Sequence, residues 1–141
     1  MPADDAVRLI VEQWIYRAEG DLQNASHALK LGRQCPTETV AFHAQQCVEK
    51  YIKAVLIFNA IDFPMVHDIE KLVRLLPVRT LAFLTVTDQR ILTSYAVTAR
   101  YPGDFEPISL GEARESVRMA RRIRTELRKL LPREVRRKRM K

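Results

Sequence analysis

Along most of this chain apolar residues recur in steps of three and four, the spacing that gathers them on one face of an α-helix. Val7, Val11, Trp14, Ile15, Ala18 and Leu22 begin such a face, and Ala25 and Leu29 continue it. Asp4 or Asp5 stands where it can cap the start, and Gly32 suits the left-handed turn that closes a helix. Cys35-Pro36-Thr37 makes the next turn, with Thr37 as the N-cap of a second helix over roughly 38–60. Its core positions run from Val40 and Ala44 through Cys47, Val48, Tyr51, Ile52 and Val55 to Phe58. Asp62-Phe63-Pro64 interrupts the pattern, after which Ile69, Leu72, Val73 and Leu76 outline a short third helix closed by Pro77.

Residues 78–100 mix two signals. Leu84-Thr85-Val86-Thr87 is rich in β-branched residues and strand-like, yet Leu81 and Leu84, followed by Ile91, Leu92, Tyr95 and Ala99, keep helical steps. The segment reads as a fourth helix with a break at Thr87-Asp88, stopping near Arg100 because Pro102 disfavours helical backbone just before it. Ser109-Leu110-Gly111-Glu112 is a capping box, flanked by Ile108 and Ala113 as a hydrophobic staple. Ala113, Val117, Ala120, Ile123, Leu127 and Leu130 carry the last helix to Pro132. Four long helices, one short helix and short connections predict an all-α, up-and-down bundle.

Composition refines that picture only in places. The 141 residues suffice for one domain, predicted over 1–132, and no apolar run approaches the roughly 18 residues of a membrane span. The start, Met1-Pro2-Ala3-Asp4-Asp5, lacks the basic and apolar regions of a signal peptide, so a cytoplasmic protein with reduced Cys35 and Cys47 is expected. The net charge of +7 hints at nucleic acid, but residues 133–141 hold six basic side chains against one acidic, which leaves +2 for the rest. A basic, disordered tail over 133–141 would make weak, salt-sensitive contacts with nucleic acid.

Helix two carries a second, polar series beside its core face. His43, Gln46, Lys50 and Lys53 fall on one stripe, with Gln45 and Glu49 adjacent. One reading is a solvated surface in which Glu49 pairs with Lys53 one turn on. The other is a groove whose cations and amide donors suit phosphate or an acidic partner. His67-Asp68 opens the short helix and Arg100-Tyr101-Pro102 ends the fourth. Singly, Asp68 is explained as a cap and Arg100 as a favourable charge at a helix C-terminus.

Together these pieces form a series. Phe42-His43, Gln45-Gln46, Glu49-Lys50 and Lys53-Ala54, then His67-Asp68-Ile69 with Leu72, then Ala99-Arg100-Tyr101-Pro102 and a last helix opening on Glu112-Ala113, resembles the HEPN family over about residues 8–131. The resemblance implies a bundle of four or five helices, commonly a homodimer, encoded beside a minimal nucleotidyltransferase as its substrate-binding or toxin partner. Carried over, the ligand-binding set is His43, Gln46, Lys50, Lys53, His67, Asp68, Arg100 and Tyr101. Many relatives are metal-independent ribonucleases that use an Arg followed after four to six residues by a His. That motif is missing, since His27, His43 and His67 all lie at other spacings.

The reading is therefore a binding module for a nucleotide or a nucleotidyltransferase partner, within a toxin–antitoxin pair, with no catalytic residue and no metal or cofactor assigned. Two enzyme readings stand beside it. One is a ribonuclease with a non-standard site. The other is a metal-dependent HD-type phosphohydrolase, because His43, His67-Asp68 and Asp104 follow the order of its ligands. A purely structural interaction protein is a third class. With four glycines, none grouped in a phosphate loop, and no Cys-x-x-Cys pair, P-loop, Rossmann and zinc-ribbon chemistry are excluded.

Overall fold

The computed structural model describes residues 2–77, 84–98 and 107–136, and every regular element among them is helical. These are α1 (Pro2–Leu29), α2 (Thr37–Phe58), α3 (Ile69–Val73), α4 (Val86–Thr98), α5 (Leu110–Arg128) and α6 (Arg133–Arg136), with one 3₁₀ turn at Gly32–Gln34. The four long helices, α1, α2, α4 and α5, form the expected bundle.

Cross-helix bonds give the directions. Asp21 meets Lys50 while Glu19 meets Tyr51, so α1 and α2 run antiparallel, as their short connection requires. Glu38 accepts from Ile108 N–H just ahead of α5, and Tyr51 accepts from Arg128 at its far end, which makes α2 and α5 parallel. Helix α2 sits at the centre, packed on α1, α4 and α5. Its C-terminal half is consequently buried all round, from Tyr51 to Leu56, and apolar periodicity alone could not show this.

Several ends differ from the sequence-based expectation. Helix α1 begins at Pro2, so Asp4 and Asp5 are residues of its first turn rather than its cap. Pro36, not Thr37, occupies the N-cap of α2; Thr37 is the first helical residue and its hydroxyl turns to Glu38. The expected break at Thr87-Asp88 is instead the start of α4. Thr85 N–H donates to Asp88 Oδ2 at 3.2 Å and Asp88 N–H to Thr85 Oγ1 at 3.0 Å, a reciprocal box that leaves the buried Leu84 outside the helix. At α5 only half of the expected box forms. Ser109 Oγ accepts from Glu112 N–H, whereas the Glu112 carboxylate accepts the Tyr95 hydroxyl at 2.8 Å and ties α4 to α5.

The chain stays helical beyond residue 132. Arg133–Arg136 form α6, and Val135 is fully buried against the core. Leu127, Leu131 and Val135 follow one another at four-residue steps, so the apolar stripe continues past Pro132, which is tolerated because it precedes the first residue of α6. The remaining tail, 137–141, lies outside the described residues, as do Leu81, Ala99, Arg100, Tyr101, Pro102 and Asp104.

Helix α2 ends in a Schellman turn. Ile61 N–H donates to Leu56 C=O at 2.9 Å and Ala60 N–H to Ile57 C=O at 3.0 Å, which places Ala60 at φ 56°, a position glycine usually fills. The loop that follows returns to α2 and delivers His67 to it.

Candidate ligand-binding site

The polar stripe of α2 does not act as one row. It divides between two carboxylates. His43 Nδ1 lies 2.8 Å from Asp21 Oδ1, and Lys50 donates to Asp21 Oδ2 at 2.6 Å, so these two α2 side chains converge on α1. Lys53 donates to Glu49 Oε2 at 2.7 Å, Gln45 to Glu49 Oε1 at 2.9 Å, and Gln46 to the Gln45 side-chain oxygen at 2.7 Å. His67 closes this second group, with Nδ1 3.0 and 3.1 Å from the two Glu49 oxygens. Its own carbonyl accepts from Gln45 at 3.2 Å.

Burial separates the two carboxylate–lysine pairs, although His67 is itself 48% exposed. The Glu49 and Lys53 side chains are 3% and 6% exposed, so their pairing is internal, not a solvated surface contact. Burial works against the Glu49 charge, but hydrogen bonds from Lys53, Gln45 and His67 outweigh it and hold the carboxyl below its ordinary range. The Lys53 ammonium sits 5.7 Å from the Trp14 ring centroid and 5.6 Å from that of Phe63, so two aromatic faces add to its stabilisation. In the other group, Lys50 remains 21% and His43 26% exposed while Asp21 lies beneath them.

A third network was not anticipated from the sequence. Tyr51 donates to Glu19, Arg124 Nε and Nη2 reach the two Glu19 oxygens at 2.5 and 3.0 Å, and Arg128 donates to Tyr51 at 3.1 Å. Burial pushes the Tyr51 hydroxyl up, and the Glu19 hydrogen bond pushes it further. For Glu19 burial acts to raise the carboxyl, but the Arg124 and Tyr51 bonds prevail and lower it. Arg124 answers the Glu19 carboxylate, Arg128 joins through the Tyr51 hydroxyl, and the network ties α1, α2 and α5 together. Its spacing makes Tyr51 a core residue; its hydroxyl finds partners on helices 32 and 77 residues away, which no local spacing reveals.

Beside the Asp21 group, α1 and α2 enclose an open cleft of about 360 Å³ lined by Gln13, Trp14, Arg17 and Lys50. Among the described residues two cations, an indole and an amide form its walls, with the Asp21 carboxylate behind the Lys50 ammonium. Of the described residues expected at the ligand site, only Lys50 lines this cleft. His43 lies next to it through Asp21, Gln46, Lys53 and His67 surround Glu49, and Asp68 caps α3 by accepting from Lys71 N–H at 3.1 Å. By spacing Trp14 belongs to the core stripe while Gln13 and Arg17 resemble ordinary exposed surface, so the cleft is not visible in the sequence.

The geometry also bears on chemistry. His43 and His67 turn to different carboxylates, so the structure does not bring them together as a phosphohydrolase metal site would, and no group of three His, Cys, Asp or Glu able to hold a metal occurs among the described residues. Cys47 is buried and its thiol is pushed up, chiefly by that burial, so it stays protonated and inert. Among the described residues no helix is long and apolar enough to cross a membrane.

Comparison with known proteins agrees with this architecture. The HEPN domain family model matches residues 11–130. A crystal structure described as ST0689, an archaeal HEPN homologue, superposes with a TM-score of 0.68 at 27% identity, covering 86% of this chain and 98% of that one. A protein of Methanocaldococcus jannaschii named "Putative toxin MJ1304" is 48% identical over 50 residues, a stretch spanning 36% of this chain and 31% of that relative.

Proposed function

The chain belongs to the HEPN domain family, and from that premise we propose that it is a binding module that accepts an anionic, nucleotide-type ligand and pairs with a separately encoded minimal nucleotidyltransferase. The observation that carries this reading is Lys50. Asp21 fixes its ammonium at 2.6 Å, yet the side chain is still 21% exposed at the edge of the cleft. A cation held in place before the ligand arrives loses little freedom on binding a phosphate, which favours selective over merely electrostatic attraction.

Two further features fit. Leu9, Ile10 and Tyr16 are apolar side chains left exposed on α1, in keeping with a homodimer. The partial match to a relative named as a toxin supports a role within a toxin–antitoxin pair, with the nucleotidyltransferase as the other member. The expected contribution of His43, Gln46, Lys53 and His67 is then indirect, since they anchor the carboxylates that set the stripe's shape.

Calorimetry with ATP tests the ligand, and co-purification with the nucleotidyltransferase encoded nearby tests the partner. Lys50→Ala should weaken ATP binding about tenfold, the ordinary worth of one charge-assisted contact. Equal affinity in parent and variant would remove Lys50 from the site. Light scattering should return twice the 16.3 kDa chain mass, and a monomer at tens of micromolar would reject the dimer.

A further inference from the structure

Resting on that reading, we infer that the cleft between α1 and α2 is a mononucleotide site in which Trp14 carries the base while Arg17 and Lys50 hold the phosphate. The inference begins with unspent donors. Among the described residues, the Gln13 amide, the Trp14 indole N–H and the Arg17 guanidinium make no hydrogen bond or ion pair, although Lys53 lies over the Trp14 ring. They nevertheless line one cleft together with Lys50. Three donor side chains without an internal partner, beside a Lys50 that Asp21 holds in place, suit a ligand rich in acceptors and negatively charged.

The indole narrows the ligand class. Trp14 packs against the core and its ring lies beside the buried Lys53, so it is a positioned surface rather than a mobile side chain. A planar base can stack on it regardless of sequence, while the guanidinium of Arg17, one turn along α1, offers a planar pair of donors to phosphate oxygens. An inorganic anion would leave the indole unused. A nucleoside would leave Arg17 and Lys50 unused. The volume of about 360 Å³ lies near the lower bound for small-molecule sites and fits one nucleotide in preference to a strand.

Asp21 sets the geometry from behind. It holds Lys50 at one end of the cleft and His43 on its other oxygen, so Lys50 approaches the ligand from a fixed direction. Asp21 is a positioning residue in this arrangement. It has no contact with the base.

Trp14 is the chain's one tryptophan, so its fluorescence reports on this cleft alone. ATP should quench it, in step with the calorimetric isotherm. Tripolyphosphate and adenosine should each bind at least about tenfold more weakly than ATP, because each keeps half of the contacts. Arg17→Ala should weaken ATP binding about tenfold and leave the melting temperature unchanged, since Arg17 has no internal partner to lose. Three results would overturn the inference. ATP binding seen by calorimetry with Trp14 fluorescence unmoved and Arg17→Ala unaffected would put the ligand elsewhere and leave the binding-module reading standing. Tripolyphosphate binding as tightly as ATP would remove the base from the cleft. A single-stranded RNA pentanucleotide bound while ATP is not would replace the mononucleotide.

Discussion

Two carboxylates, Asp21 on α1 and Glu49 on α2, gather the same kinds of partner and arrive at different outcomes. Asp21 collects His43 and Lys50; Glu49 collects Lys53, His67 and two glutamines. The first group stands at the rim of the cleft, partly open to water. In the second, the Glu49–Lys53 pair is buried although His67 at its edge is half exposed, and an uncompensated charge in that pair is costly. Chemistry of this type serves a ligand only where solvent still reaches it. Buried, it fixes the bundle and is spent on itself.

The difference can be broken most sharply at Glu49. Glu49→Ala leaves the Lys53 ammonium buried without its counter-charge and should cost about 3–5 kcal/mol in urea unfolding. Replacing both, Glu49→Leu with Lys53→Met, should cost clearly less than the single change, because no charge is then stranded. A single variant within 1 kcal/mol of the parent would mean that water reaches Lys53 and that the two groups are alike. Acid tests the same point. The Glu49 and Glu19 carboxyls are both held below their ordinary value of 4.5, so their stabilisation is complete above that value and is lost as pH falls through the lower, folded-state value. Melting temperature should therefore fall with decreasing pH in this window, and Glu49→Gln should flatten the slope while lowering the plateau at neutral pH. An unchanged slope would contradict a depressed Glu49.

At Asp21 the expected loss is smaller. Asp21→Ala frees two partly exposed partners that water can solvate, so the cost should be about 1–2 kcal/mol, below that of an isolated buried pair. The effect on ligand binding should exceed the effect on stability, since Lys50 loses its anchor. A stability loss matching that of Glu49→Ala would show that exposure does not distinguish the groups.

How much of this was legible follows from distance along the chain. The helices were readable from apolar steps, and the Glu49–Lys53 pair from its spacing of four, but its depth was not. Depth depends on α2 being central, a property of how other helices pack on it. Asp21 went unremarked because its partners lie 22 and 29 residues ahead on another helix. Likewise, the run from Arg133 was read by charge, and Val135 within it was overlooked, although it sits four residues beyond Leu131 on the same stripe. Trp14 was placed on the core face correctly. That its indole also borders a cleft with Lys50 requires the pairing of α1 with α2 to be known.

The smallest expected effect sharpens the comparison at its remaining asymmetry. The Asp21 group is assembled wholly from helices, whereas the Glu49 group takes His67 from the loop that begins after α2. That loop leaves through Ala60 at φ 56°, a conformation that brings a Cβ close to the following carbonyl and costs roughly 1–2 kcal/mol for residues other than glycine. Ala60→Gly removes the strain but adds freedom to the unfolded chain worth about 0.4–1 kcal/mol in the opposite sense. The balance should be a stabilisation of about 0.5–1 kcal/mol, read as a higher urea midpoint with an unchanged m-value. Because Ile61 and Ala60 keep the same backbone donors in the turn, His67 should stay on Glu49 and the acid slope should match that of the parent. If Ala60→Gly instead destabilises the protein and flattens that slope, the alanine holds the loop in the path that brings His67 home, and the second carboxylate group depends on its loop as much as on its helix.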